Sequence, residues 1–237
     1  MQNSSSKNYV IAGLLIGLGL AIAGISIGVG QYKARTADRY VTVKGLAEKE
    51  VVADLAIWPI TFKVTDNNLG QLHKQIDKKR NIVKKFLLEA GFEDKDISFS
   101  APKIRDLEAD RYGNNPIQFR YMAQSTVTTR SEDVILVKKT MEESGKLVSS
   151  GIVFGEENWQ TPTEFLFTGL NDIKPQMIEE ATRNARQAAE KFAIDSGSNV
   201  GNIRNANQGL FSIQERDRNS PERKIVRVVT TIQYYLD

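Results

Sequence analysis

One histidine, no cysteine and no familiar nucleophile motif bound the chemistry open to this chain. Without cysteine there are no disulfides, no thiolate catalysis and no Cys-containing zinc sites. A Ser–His–Asp triad or a multi-histidine metal site would rest on His73 alone. His73 falls beside the apolar stripe of a predicted helix, where a boundary or surface residue is expected. No G-x-S-x-G, H-E-x-x-H, P-loop lysine motif or dinucleotide fingerprint follows a strand and opens a helix. Acids are abundant, but most lie near bases on helices, so neither a carboxylate pair nor Ser–Lys chemistry is supported by spacing. Asp54 stands in an otherwise apolar strand pattern and reads as a hydrogen-bonded structural acid. Trp58, Trp159, Phe165, Phe167 and Phe211 could line a ligand groove, although core packing is their default use. The expectation is therefore non-enzymatic, with no catalytic, cofactor-binding or metal-binding residue assigned and no cofactor required.

The stretch that must position any such domain is Val10–Gly30, VIAGLLIGLGLAIAGISIGVG, which carries no charge. As a helix it would be roughly 32 Å long, matching a hydrocarbon core about 30 Å thick. It is too long and apolar for an ordinary core helix. A cleavable signal peptide needs a shorter apolar run of about 7–15 residues and a small-residue cleavage site. The following residues, Gln31 to Ala37, offer no convincing site. An uncleaved signal-anchor is the preferred reading, with a cleaved signal peptide as its competitor. Residues 1–9 then form a cytoplasmic tail, 10–30 the span, 31–39 a linker and 40–237 the soluble domain. Lys33, Arg35 and Arg39 after the span, against Lys7 before it, favour the C-terminal side inside. A short polar tail leading into a signal-type anchor favours the opposite, N-in, and N-in is adopted. Gly13 and Gly17, and again Gly24 and Gly28, are four apart and could let a second helix approach closely. Glycine is also simply common in membrane spans.

The chain is 237 residues with a net charge of +3, 41% hydrophobic and 26% charged. Residues 1–35 hold Lys7, Lys33 and Arg35 and no acid, so 36–237 carries 29 basic against 29 acidic residues. That neutrality argues against nucleic acid as a partner. Tyr40–Ala47 reads as a strand, Glu48-Lys49-Glu50 as a charged turn and Val51–Thr65 as a second strand, with Pro59 marking an edge or bulge. A helix capped by Asn67 or Asn68 runs to Ala90 on Leu69, Leu72, Ile76, Val83, Phe86 and Leu87, ending at Gly91. Its outer face carries Lys74, Lys78, Lys79, Arg80, Lys84 and Lys85, which could meet anionic headgroups or simply face water. Asp96–Leu107 and Ile117–Thr129 read as a hairpin across the Gly113–Pro116 turn. Ser131 caps a second helix with Val134, Val137, Met141 and Val148 inward. After a short strand at Ile152–Phe154 and another at Thr163–Gly169, a third helix runs to Ser196. Ile178, Ala181, Ala185, Ala188, Ala189, Phe192 and Ala193 form its inner face. Asn202–Gln214 and Lys224–Leu236 complete the strands; the last is apolar on both faces and reads as central or interfacial. The pattern predicts an α+β fold: a mainly antiparallel sheet with three helices on one side, preceded by one N-terminal transmembrane helix.

Several of these segments together resemble the SIMPL-domain family, also called DUF541, of bacterial envelope proteins. The opening VTVKGLAEKEVVADLA (Val41–Ala56) is similar to that family's first strand, glycine, acidic turn and D-L-A. AGFEDKDI (Ala90–Ile97) is similar to its G-hydrophobic-x-x-K-D-I segment, and EATRNARQAAEKFAIDSGSNVGNI (Glu180–Ile203) to its alanine-spaced helix followed by Gly–hydrophobic. The closing VVTTIQYYL also fits, so the likeness covers about residues 40–237. The resemblance implies an α+β fold, a place in the periplasm or cell envelope, a link to oxidative-stress defence and, in some members, ring- or channel-like oligomers. It supplies no catalytic motif. This chain departs from it in its anchor, read as uncleaved, and in the insertion-like Trp159–Pro162 region.

The expected function is that of a protein held in the bacterial inner membrane by a single pass, its C-terminal domain outside the cytoplasm. That domain would form a homo-oligomer or bind another envelope protein. A small-ligand binding module, or an enzyme acting on an envelope or stress-derived small molecule, are the alternatives.

Overall fold

The computed structural model describes residues 3–36, 39–109, 116–155 and 162–237. Helix α1 (Asn3–Thr36) contains the apolar span Gly13–Gln31, whose mean hydropathy is 2.1 and none of which is buried. The rest is α+β with antiparallel sheets, as the sequence predicts, but its strands divide between two sheets and not one. The chain forms two compact units. The first comprises Met1–Glu48, Pro175–Phe211 and Arg227–Asp237; the second comprises Lys49–Lys174 and Ser212–Val226. Strand β1 (Tyr40–Val52), helix α5 (Leu170–Asp195) and strand β9 (Arg223–Leu236) have residues in both.

In the second unit the sheet order is β3-β5-β2-β6, with β4 also on β5. These strands are β2 (Leu55–Asp66), β3 (Ile97–Phe99), β4 (Lys103–Asp106), β5 (Tyr121–Ser131) and β6 (Glu164–Leu166). Period-two burial of Trp58, Ile60, Phe62 and Val64 turns one face of β2 inward. Helix α2 (Leu69–Ala90) covers it with Leu72, Ile76, Val83 and Leu87. The helix starts where Asn68 accepts the Gln71 N–H and ends at Gly91, whose φ of 109° is the left-handed conformation glycine adopts without strain. Asn67 does not cap it; its Oδ1 takes the Arg120 N–H at 2.8 Å. Pro59 pairs with Thr128 without a bulge, and β6 stops at Ile57, before reaching it.

Several boundaries differ from the sequence expectation. Glu48-Lys49-Glu50 is not a turn: β1 runs through it, alternating inward Val43, Gly45 and Ala47 with exposed residues, and the reversal comes at Ala53–Asp54. Pro102 separates β3 from β4. The second domain helix is two: α3 (Val134–Glu142), capped by Asp133 in place of Ser131, and α4 (Gly145–Ser149), which buries Leu147 and leaves Val148 exposed. Ile152–Phe154 contributes only a bridge, Phe154 to Phe62. The Asn202–Gln214 segment splits into β7 (Val200–Gln208) and β8 (Ser212–Glu215). The Trp159 region and most of the Gly113–Pro116 turn lie outside the described residues.

The sheet of the first unit has the order β1-β9-β7, with β8 pairing β9. Strand β9 is central, one of the two places that its apolar faces allow. Helix α5 lies against this sheet on alanines. Ala181, Ala185, Ala189 and Ala193 are buried, with Val43, Ile232 and Tyr234 opposite two of them. The approach is so close that a Cβ on Gly45 would lie 1.8 Å from the Ala181 carbonyl oxygen. Phe192, expected inward, is 61% exposed, because it lies 100° round the helix from the buried Ala193.

Candidate functional site

The residues singled out for chemistry scatter. His73 is exposed on α2, its Nε2 3.4 Å from Asp77 Oδ2 in an i,i+4 surface pair. Among the described residues no group of three or more His, Asp or Glu is placed to hold a metal ion. Asp54, half-buried in the β1–β2 reversal, accepts the N–H of Thr168 at 2.8 Å and of Gly169 at 2.9 Å. It tethers the segment that leads into α5, which is the structural role its sequence setting predicts. Trp58 and Phe165 are core, and Phe167 and Phe211 are half-buried; Trp159 is outside the described residues. The basic face of α2 is partly neutralised. Arg80 donates to Ser125 Oγ at 3.0 Å and to the Ser100 carbonyl, Lys84 pairs with Asp94 and Lys85 with Glu89. Lys79 is half-buried, and burial holds its ammonium pKa below the usual lysine value. Gly13, Gly17, Gly24 and Gly28 are exposed on α1, and an added Cβ at any of them would touch nothing within 4 Å among the described residues.

Two features outside that set have the geometry of a site. The first is a groove of about 360 Å³ in the second unit, lined by Val52, Ile135, Lys138, Lys139, Glu142, Glu222 and Arg223. Glu222 is fixed at its edge by its own backbone, whose carbonyl accepts the Ala53 N–H at 2.7 Å. Its Oε1 accepts from Lys138 Nζ at 2.7 Å, while the buried Oε2 has no partner among the described residues. Burial pushes the Glu222 carboxyl up, but the Lys138 hydrogen bond and neighbouring cations outweigh it, and the net direction is down. Beside it, Glu50 accepts from both Arg216 and Arg223 at 2.9 Å, and these two guanidinium groups hold its carboxyl below the usual range. The sequence offered no signal for Glu222 beyond its place in a charged loop.

The second feature is β7 in the first unit. It pairs with β9 on one side, and no strand among the described residues pairs with its other side. From Asn202 to Gln208 every residue is exposed. Irregular register between Val200 and Asn205 bends its first half, whereas Asn205–Gln208 pairs regularly with Thr230–Gln233. Edge strands are commonly guarded by charge or proline. The run Asn205-Ala206-Asn207-Gln208 has neither, and this is the sequence signal that its polarity obscured.

The family model described as SIMPL, protein of unknown function (DUF541), matches residues 41–230. The chain belongs to the SIMPL family. Comparison with curated proteins gives no match. The matched SIMPL region includes the whole of α2, α5 and β7, both features described above, and the Asp54 tether. The apolar helix α1 lies before it.

Proposed function

We propose that this SIMPL protein is a non-enzymatic envelope protein, anchored N-in in the bacterial inner membrane by Val10–Gly30. Its domain lies outside the cytoplasm and self-associates or takes an envelope protein partner by strand addition along β7. The observation that carries this reading is the open edge of β7, with a regular, uncharged and proline-free stretch at Asn205–Gln208. An edge of this kind offers a row of backbone donors and acceptors to an incoming strand. The α1 helix supports the tether through its length and hydropathy. Gly13, Gly17, Gly24 and Gly28 offer an auxiliary helix contact in lipid. The part in oxidative-stress defence that the family likeness implies would then be exercised through assembly.

The test is light scattering of the full chain in detergent beside the double variant Asn205→Lys/Asn207→Lys. The wild type is expected to be an oligomer and the variant a monomer of unchanged fold. If the wild type is a monomer, and crosslinking in cells captures no partner through β7, the reading fails.

The unpartnered Glu222 Oε2 in its groove favours a second reading, a module for a small ligand that donates a hydrogen bond or ammonium group. Thermal-shift screening of small amines would support it through stabilisation lost in Glu222→Gln.

A further inference from the structure

The first unit has a recognisable tether end. The chain has four residue steps from Thr36, where α1 ends, to Tyr40, where β1 begins. Fully extended they span at most about 14 Å. The helical residues from Gln31 to Thr36 add about 8 Å. Tyr40 is therefore held within about 22 Å of the end of the apolar span, whatever path the connection takes.

That end of the unit is assembled from three elements. The Arg39 carbonyl accepts the Leu236 N–H, Asp237 and Asn199 exchange backbone hydrogen bonds, and Arg39 donates to Ser198 Oγ at 3.4 Å. Helix α5 runs against β1, with Ala181 and Ala185 over Gly45, and ends at Asp195, just before Ser198. Its last turn exposes two large apolar side chains, Phe192 at 61% and Ile194 at 75%. On the neighbouring strands Arg204 lies over the Tyr40 ring at 4.0 Å and reaches the Tyr235 ring at 6.0 Å. Val43 and Tyr234 face α5, so Tyr40, Tyr235 and Arg204 lie on the opposite face of the sheet, and they share with Phe192 and Ile194 an end of the unit and not a face. Exposed apolar side chains, tyrosines and a stacked arginine at one level are the composition of a membrane–water interface, where tyrosine rings settle at headgroup level and long cations reach to the phosphates. Asp195 and Asp237 share this end, so the fit is to the amphipathic interfacial layer and not simply to anionic charge.

We infer that the end of the first unit formed by Tyr40, Phe192, Ile194, Arg204 and Tyr235 rests in the interfacial layer of the bilayer that carries the span. This rests on the proposed tether, and it adds a second, non-covalent membrane contact that orients the unit. Strand β7 starts at this end and runs away from it, because Val200 pairs with Leu236 and Gln208 with Thr230. The contact would therefore place the Asn205–Gln208 edge at increasing distance from the membrane, with Gln208 farthest from it.

The absence of cysteine makes the test direct. The full chain carrying Phe192→Cys, Ile194→Cys or Leu210→Cys is labelled with an environment-sensitive fluorophore. It is then placed in phosphatidylcholine nanodiscs, with and without lipids bearing a quencher near the headgroup. Leu210 is the internal control: it is 94% exposed and apolar, but lies at the other end of β7, where Gly209 donates to the Val229 carbonyl. Labels at 192 and 194 should be blue-shifted and quenched at least about twofold, with the label at 210 unaffected. If the chain co-purifies with nanodiscs but 192 and 194 report water as 210 does, the surface contact is overturned while the tether stands. If the chain does not co-purify with nanodiscs, the tether itself fails and this inference with it. Circular dichroism matching the parent excludes misfolding, since both side chains point away from the core.

Discussion

The two units bury their interiors with different side chains. The second packs Trp58, Ile60 and Phe62 of its sheet against Leu72, Ile76, Val83 and Leu87 of α2, large residues that fill the space between layers. The first brings α5 onto its sheet through Ala181, Ala185, Ala189 and Ala193, with Gly45 beneath two of them. Large residues make a core that suffers when volume is removed; small ones make a contact that suffers when volume is added. The coverage differs too. In the second unit the edge strands β3 and β6 are three residues each, whereas in the first β7 is nine residues long, is exposed from Asn202 to Gln208 and has on its outer side no strand among the described residues. The second unit has the interior of a scaffold, and the first offers the strand edge and the exposed apolar end on which the proposed assembly and membrane contact rest.

The contrast can be broken by substitution. Phe62→Ala in the second unit should cost about 3–5 kcal/mol in urea unfolding of the full chain in detergent, because a fully buried ring leaves a cavity. Gly45→Ala in the first should cost about 2–3 kcal/mol by overpacking. In hydrogen exchange Gly45→Ala should expose the amides of Ala181–Ala193 in α5 while leaving those of α2 protected. Equal loss in both helices would mean the two interiors do not respond separately.

These two cores were unequally legible. Helix α2 is legible in its period and its terminal Gly91, while only the fold decides for Asn68 over Asn67 as its cap and leaves Leu69 exposed. The face of α5 was read correctly at its alanines and incorrectly at Phe192, since size suggested burial where helical geometry puts the residue 100° away from the buried line. The charged triplet Glu48-Lys49-Glu50 suggested a turn. Strand alternation continues through it because Glu48 and Glu50 point outward, where Glu50 meets Arg216 and Arg223. Division of the strands over two sheets depends on long-range pairing, which local periodicity does not encode. The β7 edge escaped for a similar reason: whether a strand has a second neighbour is a property of the fold.

Smaller effects sharpen the same picture. Asp54→Ala should cost about 1–2 kcal/mol, because the Thr168 and Gly169 N–H groups lose their acceptor and the entry to α5 loosens. Asp54→Asn keeps an acceptor and should recover part of the loss. Glu222 gives the smallest effect and a definite sign. Its carboxyl pKa is lowered in the folded chain, so its contribution is present above the unfolded value near 4.5 and disappears as pH falls through the folded value. With Lys138 partly exposed the contribution should be below about 1 kcal/mol. Lys138→Met should flatten this part of the acid limb in a stability–pH profile.

The most direct test of assembly is site-specific photocrosslinking in cells, with the photoreactive residue at Asn207 on the β7 edge and, as control, at Glu89 on the exposed face of α2. The account predicts a crosslinked second copy or one discrete envelope protein from position 207, lost when Asn205→Lys is added, and nothing comparable from position 89. No adduct at 207, or the same adducts from both positions, would contradict it.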